Sequence, residues 1–321
     1  MTIGLRHPCQ RKRDTMRKQN DWSSAITFRK ACDFYMQTHK FGSLSGASQI
    51  KYETMFRSAC ETPVHNGKHL GRIKLKDLRF KHFDRAYETW LRDRGPSSAQ
   101  YISSCISIVL NTAIRNEVTI SNYMALVSKQ TVGSRRVKWT ADQVKLFLDV
   151  AYSEWKWRSI GLIVHMSYEW GQRIGDMRKL KWECLDLDAQ RLDLTQSKRG
   201  VAVHLPIGDN LVAMLKQQKI DMGFQEYVAP RVKPSAGAYS HYRMDEIGGL
   251  TNAVKKEAGL PNELQARDMR RTAITEMVEA GVDLAGIMQV SGHQNPNSVQ
   301  PYMVNTFSGA TTALNKRWNK G

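Results

Sequence analysis

Apolar side chains recur at helical spacing through much of this chain. Phe83, Ala86, Tyr87, Trp90 and Leu91 fall at i, i+3, i+4, i+7 and i+8, which is one face of a helix. Ile102, Cys105, Ile106, Val109 and Ala113 repeat that spacing after a stop at Gly95-Pro96. Earlier helices are expected over 22–38 and 47–59, so residues 21–127 read as a compact unit of four or five helices.

The periodicity then lapses. Residues 128–138 (SKQTVGSRRVK) hold four basic side chains, Lys129, Arg135, Arg136 and Lys138, and no acidic one, which is the signature of a linker. A second module opens at Thr140, a suitable N-cap for a helix bearing Val144, Phe147, Leu148 and Ala151. A largely buried helix over 160–170 ends at Gly171. Two β-prone runs, 191–195 and 201–205, flank Gln-Ser-Lys-Arg-Gly and predict a hairpin with Lys198 at its tip. Further helices are expected at about 209–220, 243–258, 266–280, 283–291 and 297–305. Residues 139–305 thus form a mainly helical module with a small β-sheet. The tail 306–321 has three basic residues, no acidic one, and apolar Phe307, Ala313, Leu314 and Trp318. It either folds back on its own domain or docks on a neighbouring protomer.

Composition narrows the partners. At 321 residues the chain is long enough for two cores. A formal net charge of +18 favours a polyanion, nucleic acid before other anions. Five scattered cysteines without a CxxC pair point to a reducing cytosol. No apolar run reaches membrane-spanning length. The basic stretch 1–20 (Arg6, Arg11, Lys12, Arg13, Arg17, Lys18) has no apolar segment behind it and is not a secretory signal.

Several chemistries find no support. There is no GxxxxGK[ST] loop, and the glycines at 171–176 lack dinucleotide-loop spacing. No paired carboxylate or nucleophilic serine stands out, and His65 with His69 has no acidic or cysteine partner nearby, so no metal and no cofactor is expected. What remains is cationic and phenolic. Arg173 follows the helix-ending Gly171, and Asp176 lies three residues on. Lys198 occupies the hairpin tip. Arg267 and Arg270 lie one turn apart on a helix face. His293 follows Gly292, and Tyr302 lies nine residues later in a short helix capped by Asn297. Singly, each has a plain reading as a packing tyrosine, an ion pair, a solvated charge or a helix cap. Jointly, those readings leave the ordered set unexplained.

Four boxes in this order resemble the tyrosine recombinase, or phage integrase, family. The first reads Gly171-Gln172-Arg173-Ile174-Gly175-Asp176, where the family has Gly-x-Arg-x-x-Glu/Asp, and Leu180-x-Trp182 follows. The family's hairpin lysine corresponds to Lys198, ahead of Leu205-Pro206. The second box, commonly His-x-Leu-Arg-His-Thr, appears as Arg267-Asp268-Met269-Arg270-Arg271-Thr272, and the third is Gly292-His293 with Tyr302. The match covers about residues 140–305, with a weaker one to the family's helical, SAM-like core-binding domain over 21–127.

The resemblance implies a helical core-binding domain joined to an α+β catalytic domain, the two clamping double-stranded DNA. The activity implied is cleavage and rejoining of strands through a 3′-phosphotyrosine at Tyr302, in integration or excision of a mobile element or phage genome. Arg173 and Arg270 would stabilise the phosphorane charge, Lys198 would protonate the departing 5′ oxygen, and His293 would hydrogen-bond a phosphate oxygen. Asp176 would hold Arg173. Lys129, Arg135, Arg136, Lys138 and Arg199 would meet the DNA backbone. Four protomers would join two duplexes, with an accessory DNA-bending protein as a further partner, in the cytoplasm and at the nucleoid. Arg267 departs from the pattern: it replaces a histidine and cannot accept a proton, so gripping phosphate or favouring the phenolate electrostatically is its expected part. The roughly twenty residues ahead of the first domain are too few for an arm-site domain. Two rivals stay open, a type IB topoisomerase-like enzyme and a DNA-binding protein with a degenerate catalytic domain. Pro301 either places Tyr302 early in its helix on a movable segment or merely shapes a turn.

Overall fold

The computed structural model describes residues 22–65, 67–119, 121–133, 135–234, 237–303 and 307–318, so the basic segment 1–20 lies outside the described residues. The chain divides into two compact units at Ser134/Arg135.

In the first unit, helices α1 (Phe28–Met36), α2 (His39–Gly42), α3 (Gly46–Glu61), α4 (Phe80–Arg94), α5 (Pro96–Arg115) and α6 (Tyr123–Leu126) surround one core, with a small hairpin of β1 (Pro63–His65) and β2 (Lys68–His69) at its side. Phe28, Tyr35, Phe56, Phe83, Trp90, Ile102 and Ile106 fill the interior. Trp90 buries its rings and donates its indole N–H to Thr62 Oγ1 at 2.7 Å, which removes the penalty of a lone buried donor. The first helix starts at Phe28 and not at residue 22. Leu75 N donates to Ile26 O and Phe28 N to Ile73 O, so the preceding segment is spent on strand-like pairing, and the Thr27 hydroxyl then caps the helix.

The second unit is organised around α8 (Trp155–Glu169), in which every residue from Ser159 to Ser167 is buried. A helix apolar on all sides needs neighbours on all sides. They are α7 (Ala141–Ser153), α9 (Ile174–Met177), α10 (Asp209–Met222), α11 (Met244–Glu257) and α12 (Met269–Glu279). Thr140 caps α7 in a reciprocal box with Gln143. A three-stranded antiparallel sheet, β3 (Leu185–Asp186), β4 (Arg191–Thr195) and β5 (Ala202–Pro206), turns Leu192, Leu194, Val203 and Leu205 inward. The first strand of the hairpin falls where expected and the second is shifted by one residue, and β3 was unforeseen because two residues carry no periodicity. Helix α13 (Leu284–Ser291) matches expectation. The helix expected at 266–280 is split, with a 3-10 turn at Ala266–Asp268 before α12.

The terminal helix α14 (Phe307–Trp318) lies against its own unit. Thr312 Oγ1 donates to Glu279 O at 3.1 Å, and Lys316 Nζ to Gly281 O at 2.7 Å. Phe307, Leu314 and Trp318 nevertheless stay exposed.

Two residues expected to meet DNA are committed elsewhere. Arg135 makes a forked pair with the buried Asp268, 2.8 Å to each carboxylate oxygen, and donates to Glu263 O. Lys138 pairs with Glu279 at 2.7 Å on the surface. The segment 135–138 therefore belongs to the second unit as its first anchor, continued by the buried Trp139, whose N–H donates to Thr272 Oγ1. A carboxylate as buried as Asp268 is costly without its cation. Arg135→Ala is expected to lower the unfolding free energy by about 2 kcal/mol, read as a shifted urea midpoint, while Arg136→Ala at an exposed position leaves the midpoint in place. Equal midpoints for the two variants would remove Arg135 from this anchoring role.

Candidate active site

The site is built from the ends of helices. Gly171 adopts the left-handed conformation after α8, with φ +59°, and its carbonyl accepts from Arg270 Nη1 at 3.0 Å. Arg270 stands in the first turn of α12 and is only 7% exposed. Its Nη2 donates to His293 Nε2 at 3.0 Å. A guanidinium can only donate, so Nε2 is the acceptor and the ring proton sits on Nδ1. Nδ1–H then donates to Ser291 Oγ at 2.7 Å, and the Ser291 hydroxyl donates to Ile287 O at 2.6 Å. One directed chain of bonds sets both the tautomer and the ring's orientation. In this arrangement the histidine orients Arg270.

Arg173 lies at the start of α9. Its Nη1 donates to Gln196 Oε1 at 2.9 Å, whereas Asp176 Oδ2 is 3.9 Å away. Asp176, expected to hold Arg173, makes only this long ion pair with it, while its Oδ1 accepts from the backbone N–H and hydroxyl of Ser197, at 3.1 and 2.5 Å. The carboxylate therefore also fixes the base of the hairpin that carries Lys198, and a neutral amide takes the arginine's hydrogen bond.

Tyr302 is half-buried, against the small apolar group of Ile274, Ile287 and Val299. Its ring centroid lies 5.7 Å from that of His293, and its phenol is near enough to Arg270 to favour the charged guanidinium. Arg271 lies over the ring with its guanidinium carbon 4.9 Å from the centroid, and its Nη1 donates to Pro301 O at 2.9 Å. The helix expected at 297–305 is replaced by two 3-10 turns, Pro296–Ser298 and Gln300–Tyr302. Pro301 lacks an amide hydrogen, so a continuous helical ladder through 297–305 cannot form. The cap is Asn295, whose Oδ1 accepts from Asn297 N at 2.9 Å, and not Asn297. Residues 304–306 lie outside the described residues.

Positive charge is concentrated here. Burial pushes the Arg270 guanidinium down to about 10, Arg173 pushes the same way, and the Tyr302 phenol and Asp176 resist. Burial, then the charges of Arg270, Arg173 and Arg199, push the His293 imidazole down to about 4. Arg199 and Lys198 are exposed on the hairpin, and Lys198 makes no hydrogen bond or ion pair with the described residues. Arg267 does not join the group. It is exposed on the turn before α12 and lines a cleft of about 430 Å3 with Ile174, Met244, Ile247 and Thr251. Arg267 and Arg270 lie three residues apart across the junction of that turn with α12, yet only Arg270 is buried.

Four contributors went unnoticed in the sequence: Gln172, Gln196, Ser291 and Arg271. Gln196 had a readable signal, since it continues the inward series Leu192, Leu194 and is a polar residue where the strand alternation demands an apolar one.

The profile of the phage integrase family matches residues 138–308, more than half of the chain and every residue of the group above. The chain belongs to the phage integrase family. It is similar to the integrase of Escherichia phage lambda, with 27% identity over 179 residues, covering 53% of this chain and 49% of that protein. Tyrosine recombinase XerC of Xanthomonas campestris pv. campestris (strain B100) is 26% identical over 142 residues, 44% of this chain and 42% of that protein. The chain thus spans about half the length of these curated relatives. In solved structures the fold recurs in a lambda integrase dimer bound to a core site, with a TM-score of 0.71 at 19% identity, covering 94% of this chain and 82% of that one. It recurs also in the Tn1549 transposon integrase bound to circular intermediate DNA, with a TM-score of 0.71 at 13% identity, covering 91% and 99%. For this family member, Arg173, Arg270, His293 and Tyr302 form one continuous group, and Lys198 stands on the adjoining hairpin.

The histidine gives a pH prediction. An unfolded chain takes up the His293 proton near 6.5, while the folded chain refuses it until about 4. Acid therefore favours the unfolded chain through this group, and its contribution to stability is lost as pH falls from 6.5 towards 4. Imidazole 15N spectra should show His293 as the Nδ1–H form throughout that window. A His293 midpoint near 6.5 would contradict the burial argument.

Proposed function

We propose that this family member is a site-specific DNA recombinase that integrates or excises a mobile element or phage genome. The observation that carries the reading is the convergence of Arg173, Arg270 and Tyr302 in one group whose guanidiniums hydrogen-bond only neutral acceptors among the described residues, with Asp176 in a long 3.9 Å pair to Arg173. Such a group has unspent positive charge for a phosphodiester. Tyr302 Oη attacks the phosphorus and forms a 3′-phosphotyrosine as the bond to the 5′ oxygen breaks. Lys198, exposed on its hairpin, delivers the proton to that leaving oxygen. Arg173 and Arg270 take the charge that builds on the non-bridging oxygens, Arg270 exchanging one of its present acceptors for phosphate. The Tyr302 proton leaves to water or a phosphate oxygen, because neither Arg267 nor an imidazole with a pKa of about 4 is a suitable base near neutrality. Rejoining is the reverse attack by a 5′ hydroxyl on the phosphotyrosine, so no external energy source is needed.

The net charge of +18 supplies non-specific affinity for the duplex, with Arg136, Arg199 and Lys129 as backbone contacts. Solved relatives include a lambda integrase tetramer bound to a Holliday junction. A tetramer joining two duplexes is the assembly proposed here, with the exposed Phe307, Leu314 and Trp318 of α14 as a surface offered to a second copy. An accessory DNA-bending protein and action at the nucleoid complete the proposal.

The test is a pool of nicked duplexes of randomised sequence, from which detergent-resistant protein–DNA adducts are recovered. The wild-type chain should yield adducts and Tyr302→Phe none, with chelator present and nucleotide triphosphate absent. Arg173→Gln and Arg270→Gln should each slow adduct formation by about 10²–10³-fold. Loss of adduct in chelator, restored by magnesium, would overturn the metal-independent mechanism. Binding without any adduct would mark a DNA-binding protein with a degenerate site. Relaxation of supercoils without joining of two marked duplexes would mark a topoisomerase-like enzyme. A second prediction concerns Arg267. If it grips phosphate from its exposed turn, Arg267→His changes the cleavage rate, whereas an unchanged rate and pH profile would take Arg267 out of the reaction.

A further inference from the structure

We propose that Gln196 is the positioning residue that holds the Arg173 box, the Lys198 hairpin and the His293 turn in register. The inference rests on the recombinase reading and goes beyond it, because Gln196 touches no DNA. It is fully buried, and its amide hydrogens are both used. Nε2 donates to Gln172 Oε1 at 2.6 Å and to Ser291 O at 2.9 Å, while Oε1 accepts from Arg173 Nη1 at 2.9 Å. Gln172 extends the layer, donating to Trp170 O at 3.0 Å and to Val290 O at 2.6 Å. The backbone of Gln196 closes the loop that carries Lys198, since its N–H donates to Val201 O and its carbonyl accepts from Gly200 N. Gly292 lies directly against the Gln196 amide, and a Cβ there would collide with it.

The residue type is demanded by charge as well as by shape. A carboxylate at 196 would accept from Arg173 but could not donate to Ser291 O or Gln172, and it would cancel the charge the reaction needs. Without an acceptor at 196, the guanidinium is free to tighten its long 3.9 Å ion pair with Asp176 into a hydrogen-bonded one and turn away from the site. A neutral amide that both accepts and donates meets all three requirements. It keeps Arg173 forward, fixes the carbonyl two residues before His293, and leaves the site cationic.

The experiment measures single-turnover adduct formation on a duplex recovered from the randomised pool, with DNA affinity and thermal melting followed in parallel. Gln196→Met and Gln196→Glu are each expected to slow adduct formation by about 30–100-fold, with affinity held within about threefold. The discriminating measurement is a double-mutant cycle. In an Arg173→Lys background, Gln196→Met should cost less than about threefold more, because the group it positions is already gone. Fully additive losses, as general loosening of the core would give, overturn the proposal, and so does a Gln196→Met rate within about threefold of wild type. Should the methionine variant not fold, the glutamate variant decides: a rate equal to wild type overturns the role. No adduct from the wild-type chain sinks the recombinase reading itself and this inference with it. An active wild type with equally active variants sinks only the part given to Gln196.

Discussion

The structure turns on keeping an arginine almost wholly inside the protein without neutralising it. Arg270 is held by a glycine carbonyl and by a neutral imidazole, and burial lowers its affinity for the proton while leaving it charged near neutrality. Arg173 nearby donates to an amide oxygen and pairs only at 3.9 Å with Asp176, whose other oxygen is engaged by Ser197. A close carboxylate partner for Arg270 would have offset the cost of its burial. Neutral acceptors satisfy the N–H groups and leave the field intact. The folding free energy invested there is recovered when an anion arrives, which is how a preorganised electrostatic site differs from a structural ion pair.

The same principle recurs around the second box. Lys255 is buried and donates its ammonium hydrogens to the carbonyls of Asn262 and Leu264, at 2.9 and 2.5 Å. It thereby fixes the loop that enters the Ala266–Asp268 turn. Arg135 grips the other side of that turn through Asp268. Arg270 follows two residues later, so its helix begins from a point pinned on two sides. The histidine turn is pinned in turn by the Gln172 and Gln196 amides on the carbonyls of Val290 and Ser291. Secondary-structure ends, which usually fray, are here tied by buried side chains.

Much of this was legible in the sequence, for physical reasons that can be named. The helical periodicity of α4 and α5, the Gly95-Pro96 break and the capping box at Thr140 report local geometry, and they placed the elements well. The order of Arg173, Lys198, Arg270, His293 and Tyr302 pointed to the family whose profile matches residues 138–308. What failed was decided by tertiary partners. Arg135 looks like a free cation until Asp268 is seen to be buried behind it. Arg267 looks like a partner of Arg270, yet it is exposed where Arg270 is buried. Pro301, inside the expected last helix, argued against it, had its missing donor been counted. Gln196 was misjudged because a polar residue at the end of a strand reads as turn, although the alternation had already assigned it to the core.

The most direct measurement is an experimental structure of the Tyr302→Phe chain bound to a duplex recovered by covalent capture. The expected result is one phosphate within hydrogen-bonding reach of both Arg173 and Arg270, with the residue-302 ring beside it and Gln196 still bridging Arg173 to Ser291. A phosphate bound by only one of these arginines, or lodged away from the residue-302 ring, would contradict the account.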